Sequence, residues 1–552
     1  MLHSENTPGG TLVIDGAVAN RYVLVNGTMT NFGGGVIRNG TGPDPEGVSI
    51  TVSDTGLMQA TPSFRAIELD GDFVMINNNA EIIGGEAIRL GGNDTEIYNN
   101  GYISSSYGIS NSNIPTIIFE GDDARLVNSG TILGESAVSF SGTATINNSG
   151  SIIGDRYGIE FLSYTLDDVY MNNSGTISVS AGTAFQGNGG INEIDNSGQI
   201  EGGVNLAGGN DILRNSGHIS GDVDLGLNSD LYRATGNGTV LGTIYGGWGH
   251  DSIIGANAAD LIDGGEENDT VKGGGGEDSI FGGNGDDLIK GNDGDDELVG
   301  EAGIDVIYGG SGHDMMWGGT EDDELFGNDG DDEISGQEGI DFLKGGLGND
   351  MMWGGDDGDD MMGNQGDDFL SGEDGNDFLS GGEGDDELDG DAGADTIQGG
   401  GGMDDVNGGK GDDLIFGNAG DDNLRGANSD DTIRGGAGDD TLEGGSGKDL
   451  LVGNGGADTF VFVDASESTN DSNRDEIRYW GEGDIIDLAL VIGGTLDFIG
   501  TDAFTGTANE IRVKESANGN STVYVDTDGD GSGDMRILVS DFFGLSASDF
   551  LL

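Results

Sequence analysis

The residues best suited to chemistry are aspartates on a nine-residue clock. They fall at Asp251, Asp260, Asp269, Asp278, Asp287, Asp296, Asp305, Asp314, Asp323, Asp332, Asp341 and Asp350. The series resumes at Asp360, Asp368, Asp377, Asp386, Asp395, Asp404, Asp413, Asp422, Asp431, Asp440, Asp449 and Asp458. The clock stumbles once, with one extra residue before Asp360 and one fewer after it, for 24 copies in all. A Gly stands five residues before each Asp (six before Asp360) and an apolar residue two after it. A second Gly stands two before, except at Ala258, Glu267, Glu321 and Ser429.

This unit, G-G-x-G-x-D-x-U-x, predicts a short x-U-x strand with its central side chain inward. The glycine-rich half is a tight turn that permits positive φ and close stacking. Two units make a coil, and stacked coils bring Asp carboxylates and turn carbonyls together as all-oxygen cages. Oxygen ligands without imidazole or thiolate favour Ca²⁺, which takes six to eight of them in flexible geometry. The units of Asp260, Asp269, Asp323 and Asp431 lack the second Gly, so the other twenty aspartates are the better ligand candidates.

The elements around these residues follow from bulk composition. The 552 residues include 112 Gly and 5 Pro, with no Gly-X-Y period, which excludes a collagen-like helix. Lys and Arg number 20 against 102 Asp and Glu, a net charge of −82. Such a surface repels nucleic acid and anionic membrane. Acidic disordered segments share this composition but do not keep strict periods. Roughly 20 divalent ions, one per stacked pair of turns, would cancel about half of the charge. There is no Cys, hence no disulfide or thiolate site. No stretch approaches the ~20 apolar residues of a membrane-spanning helix, and the N-terminus does not read as a cleavable Sec signal.

Before residue 246 a looser unit recurs around Asn-Ser-Gly, ending at Gly130, Gly150, Gly175, Gly198 and Gly217, with a degenerate copy at Gly101. Ile follows two residues later at Ile103, Ile132, Ile152, Ile177, Ile200 and Ile219. The pattern predicts a parallel β-solenoid with loops of variable length, its Asn residues stacked as a turn ladder. After residue 463 the period ends. The expected organisation is all-β: a solenoid with an N-terminal cap over 1–245, a β-roll over 246–463 and a small strand-rich domain over 464–552.

The unit resembles that of the RTX, or hemolysin-type calcium-binding, repeat family over residues 246–463. That resemblance implies a β-roll that folds when Ca²⁺ binds. Arg474 to Ile477, Gly483 to Leu488, Phe504 to Gly506 and the final Asp549 to Leu552 resemble the C-terminal domain of serralysin-type secreted proteases. In that family an acidic residue followed by apolar ones at the extreme C-terminus is an uncleaved type I secretion signal. The implied partner is therefore a type I secretion apparatus, and the implied location is extracellular or cell-surface, for a Gram-negative bacterium. Scarce cytosolic calcium would keep the chain unfolded for export, and external calcium would fold it.

Asp526, Asp528 and Asp530 open a D-x-D-x-D-G loop with Asp534 as a later ligand. The alternative is an acidic hairpin turn. The four His residues lie too far apart for H-E-x-x-H, and G-x-S-x-G is missing, so protease and lipase activities are not expected. His250 and His313 read as exposed turn residues, and the acidic pairs Asp122–Asp123 and Asp167–Asp168 as solenoid corners. Trp317, Trp353, Met315 and Met351 lie on one outward stripe, interrupted by Glu333 and Ser335, that stacks sugars, docks a subunit or packs on the chain's own terminal domain. The leading expectation is a non-catalytic extracellular matrix, surface or adhesion component, with a polysaccharide or cell surface as partner. The rival is a polysaccharide lyase or C5-epimerase acting through the N-terminal solenoid.

Overall fold

In the computed structural model the described residues are 48–53, 57–60, 65–105, 115–162, 166–469, 473–491 and 495–552, with the backbone of five short strands between residues 2 and 39. The expected N-terminal cap lies largely outside them. The fold is all-β, as expected, and no helix is long and apolar enough to cross a membrane among the described residues. Contacts divide the chain into two compact units, Met1–Leu288 and Ile289–Leu552.

The first unit is a parallel β-solenoid whose strands belong to two sheets. Each strand pairs with one a full coil later: Thr131–Phe140 with Ser151–Phe161, and that with Thr176–Gln186. Alternate residues point inward, so Ile103, Ile132, Ile152, Ile177, Ile200 and Ile219 are all wholly buried. Phe119 and Phe140 stack inside at 4.8 Å between ring centroids.

The recurrent Asn is a structural ladder, as expected. The buried amides of Asn78, Asn99, Asn128, Asn148, Asn173, Asn196 and Asn215 each donate to the next, with Nδ2···Oδ1 distances from 2.7 to 2.9 Å. An amide carries both donor and acceptor, so it can repeat indefinitely along a stack without leaving either unmet. This tolerates variable coil length, because only the corner must superpose.

In the second unit the nonapeptides stack with partners 18 residues apart, as in Met315↔Glu333↔Met351. The strands differ from expectation. They run for six residues, as in Met315–Thr320 and Glu324–Asp329, continuing through the first glycines of the next unit. Glycine backbones there still form ladder hydrogen bonds, so the turn contracts to about three residues. Each unit buries one large apolar side chain, for example Met316, Leu325, Ile334, Leu343, Met352 and Met361. One such side chain per nine residues is a thin core, so apolar burial alone does not hold the roll.

The stumble near residue 360 is absent. Met361 follows Met352 by nine residues, and Asp359, not Asp360, takes the corner position. Asp360 begins the strand Asp360–Gln365 and pairs across to Phe342 and Phe378. Tertiary stacking keeps the 18-residue register without a break.

Beyond the repeats, Glu476–Arg478 and Ile485–Asp487 add two more parallel strands to the coil. An antiparallel meander follows, Glu510–Glu515, Ser521–Asp526 and Met535–Val539. The last strand, Phe550–Leu551, pairs with Ile485–Asp487.

Candidate metal centre

Each repeat Asp stands at a corner, just before its strand, where the chain turns from one sheet to the other. Along the two rows, Oδ1 of one Asp accepts the backbone N–H of the Asp 18 residues earlier. In the second unit one row runs Asp296, Asp314, Asp332, Asp350, Asp368, Asp386, Asp404, Asp422, Asp440, Asp458, at 2.8 to 3.1 Å. The opposite corner holds Asp305, Asp323, Asp341, Asp359, Asp377, Asp395, Asp413, Asp431 and Asp449, at 2.7 to 2.9 Å. In the first unit Asp251, Asp269 and Asp287 share one row, and Asp260 and Asp278 the other. None of the 24 is more than 6% exposed.

The second carboxylate oxygen is the telling atom. Oδ2 of Asp251, Asp269, Asp314, Asp332, Asp350, Asp404 and Asp440, among others, is buried and meets no hydrogen-bond donor among the described residues. It lies over the Gly five residues earlier, where a Cβ at Gly345 or Gly363 would come within 3.0 Å of it. This accounts for a Gly that the local backbone does not require, since neither residue has positive φ. The glycine two before the Asp has the other reason: Gly330, at φ +148°, adopts a conformation that favours Gly. Glu267, Glu321 and Ser429 hold the same left-handed region. The turns of Asp269, Asp323 and Asp431 therefore keep their shape, and these carboxylates join the rows. Ala258 does not, and Asp260 instead accepts the Ala256 N–H on its Oδ2.

A second acidic ladder lies outside the first. The residue before the repeat Asp is often acidic, and Asp322, Asp331, Asp367, Asp385, Asp421 and Asp439 each accept the backbone N–H of the residue 18 later. His250 and His313 occupy this outer position and bond to Asn268 and Asp331 one coil on, in line with a turn role.

Stacked anions in a dry corner are costly. Burial pushes Asp350 to about 7, Asp323 to about 8 and Asp359 to about 8, partly opposed by the N–H each accepts and reinforced by carboxylates in adjoining coils. A cation on the bare oxygens removes this penalty. The donor set is entirely oxygen, which fits a hard cation such as Ca²⁺ and no soft metal.

Sequence reasoning missed Asp475 and Asp484. Asp449 and Asp458 donate their N–H to these, at 2.9 and 3.1 Å, across 26 residues. The signal was present, since each is followed two residues later by a buried Ile, Ile477 or Ile486. Asp484 Oδ2 accepts the Gly481 N–H at 2.6 Å, whereas Asp475 Oδ2 is left bare.

In the D-x-D-x-D-G loop the structure gathers Asp526, Asp528 and Asp534, with ligand oxygens within 4.8 Å of one another. Asp530 is not in that group; it is exposed and accepts from Ser532. The loop is also the hairpin turn between Ser521–Asp526 and Met535–Val539, so both readings of the segment describe one feature. The outward stripe is interrupted as expected, with Glu333 between Met315 and Met351 and Ser335 between Trp317 and Trp353; Met315 and Met351 are 41% and 47% exposed, and Trp353 packs on Phe369.

Seven successive segments match the family of the RTX calcium-binding nonapeptide repeat (4 copies): 243–262, 254–289, 290–325, 326–361, 362–397, 398–433 and 425–460. The chain thus carries RTX repeats, and these imply calcium binding. No curated protein matches the chain.

Proposed function

We propose that the protein is a secreted calcium-binding scaffold, exported unfolded through a type I apparatus and folded outside the cell by Ca²⁺. It then serves as a non-catalytic matrix, surface or adhesion component. The observation that carries this reading is the row of buried corner Oδ2 atoms, as at Asp314, Asp332 and Asp350, that meet no donor among the described residues. With Ca²⁺ on the rows, most of the repeat aspartates act as ligands, and binding energy becomes folding energy. The tail from Arg474 onward, with its final Asp549-Phe550-Leu551-Leu552, is the expected export signal.

The partner expected is an extracellular polysaccharide or cell surface. A groove of about 390 Å³ on the first unit offers a surface for it, lined by Asn147, Asn172, Asp195, Arg214 and the corner serines. Arg214 there is held by Glu193 at 2.6 Å and Asp195 at 3.2 Å. Two measurements test the reading. Circular dichroism of the full chain should show more β-structure in millimolar Ca²⁺ than in chelator, where the repeats lose theirs. Incubation with alginate, pectin and related uronans plus Ca²⁺ should give neither unsaturated products nor epimerisation by NMR. The same spectrum with and without Ca²⁺ would refute the scaffold, and turnover would refute its non-catalytic role.

A further inference from the structure

The corner row of the first unit does not begin with the nonapeptides. Asp230 donates its N–H to Asp251 Oδ1 at 2.7 Å, Asp211 to Asp230 Oδ1 at 2.6 Å, and Asn192 to Asp211 Oδ1 at 2.6 Å. Asp211 and Asp230 are 1% and 4% exposed, and Oδ2 of each is buried with no donor among the described residues. These coils lie upstream of the matched repeats, which start at residue 243.

The turns have the same build as the repeat turn at Asp251. Positive φ occurs two and four residues before the carboxylate in all three: Gly209 and Ala207, Asn228 and Gly226, Gly249 and Gly247. Carbonyl oxygens of Ala207, Gly226 and Asn228 point along the stack, where a side chain on Gly226, Gly247 or Gly249 would strike them. One element differs. Leu206 and Leu225, wholly buried, stand where the repeats have Gly five residues before the Asp. The nine-residue pattern is broken for that reason, although the corner survives. The row ends chemically at Asn192, whose Nδ2 donates to Asp211 Oδ1, Gly190 O and Leu206 O at 3.0 Å each. That amide reaches Oδ1 only and leaves Asp211 Oδ2 without a donor among the described residues.

We infer that Asp211 and Asp230, with the turn carbonyls beside them, bind Ca²⁺ in the N-terminal solenoid itself. The occupied row would then reach past the repeats as far as Asn192. Calcium would accordingly order the 206–234 coils, beside the Arg214 groove, as well as the roll. This inference rests on the reading of the repeat rows as calcium sites.

The test uses the full chain and the D211N/D230N variant. Asn keeps an Oδ1 acceptor for the ladder and removes the charge. Bound calcium per chain is measured by atomic emission, and amide hydrogen exchange is followed with and without Ca²⁺. The expected result is a loss of about one Ca²⁺ per substituted carboxylate. In wild type, Ca²⁺ should slow exchange over 206–234, and the variant should lose that effect while residues 290–460 keep theirs. If 290–460 responds to Ca²⁺ in wild type but 206–234 does not, or if the variant binds as much calcium as wild type, the extension is wrong. If neither segment responds, the calcium reading of the repeats falls with it.

Discussion

Removing calcium should reverse the pH dependence of the roll. Without cations the corner carboxylates titrate well above their unfolded values of about 3.9: Asp377 at about 6, Asp350 at about 7, Asp323 at about 8. A pKa raised in the folded state favours folding below the unfolded pKa, and the benefit disappears as pH climbs through the folded pKa. Each such group, raised by about 2–4 units, costs about 3–6 kcal/mol once ionised, at about 1.4 kcal/mol per unit. A whole domain has about 5–15 kcal/mol to lose, so ionisation of a few corners suffices. The calcium-free chain should therefore be unfolded over 290–460 at pH 8 and gain β-structure toward pH 5. Calcium-loaded protein should behave oppositely, since acid protonates the ligands and releases the metal. Far-UV circular dichroism and hydrogen exchange of metal-stripped protein across this range are the assay. A calcium-free roll equally ordered at pH 8 and pH 5, or less ordered at pH 5, would refute the account of its corners.

Other expectations concern single residues. D359A should cost about 1–3 kcal/mol by stranding the Asp341 N–H and should weaken calcium binding. D360A should not destabilise, because it removes a half-buried carboxylate whose Oδ1 meets no donor among the described residues and whose pKa burial raises; thermal melts in Ca²⁺ distinguish them. Gly345→Ala should lower calcium affinity, because its Cβ displaces Asp350 Oδ2, whereas Gly401→Ala, with nothing nearer than 4.0 Å, should not. Calcium titration followed by circular dichroism reads both. Asn148→Ala breaks the amide ladder between Asn128 and Asn173 and should cost about 1–3 kcal/mol for each group left unpaired. Hydrogen exchange over 124–177 should rise, in calcium as in chelator. In the terminal loop, D534N should reduce ion binding more than D530N does, as measured by calorimetry on either variant in the full chain.

Much of this protein was legible in its residues because its structure repeats a local rule. A corner Asp, a Gly five before it and an apolar residue two after it specify a turn and one inward side chain. The Asn of Asn-Ser-Gly specifies a corner amide in the same way. Repetition then makes fold class and cation chemistry readable without knowledge of any long-range contact. Register is different, because it is decided between coils. Of the adjacent Asp359 and Asp360, Asp359 keeps the nine-residue phase with Asp350 and Asp368 but lacks the second Gly that Asp360 has in Gly358, and the partners 18 residues away place Asp359 at the corner. Strand length was hidden too, since a glycine pair reads as turn until a neighbouring coil offers its backbone ladder. The same holds for Asp475, which reaches the row across 26 residues, and for Asp530, which stays outside the group that Asp526, Asp528 and the expected Asp534 form. Spacing along the chain set the chemistry of each corner, and stacking chose which carboxylates stand in it, because an Oδ1 finds its N–H donor only one coil away.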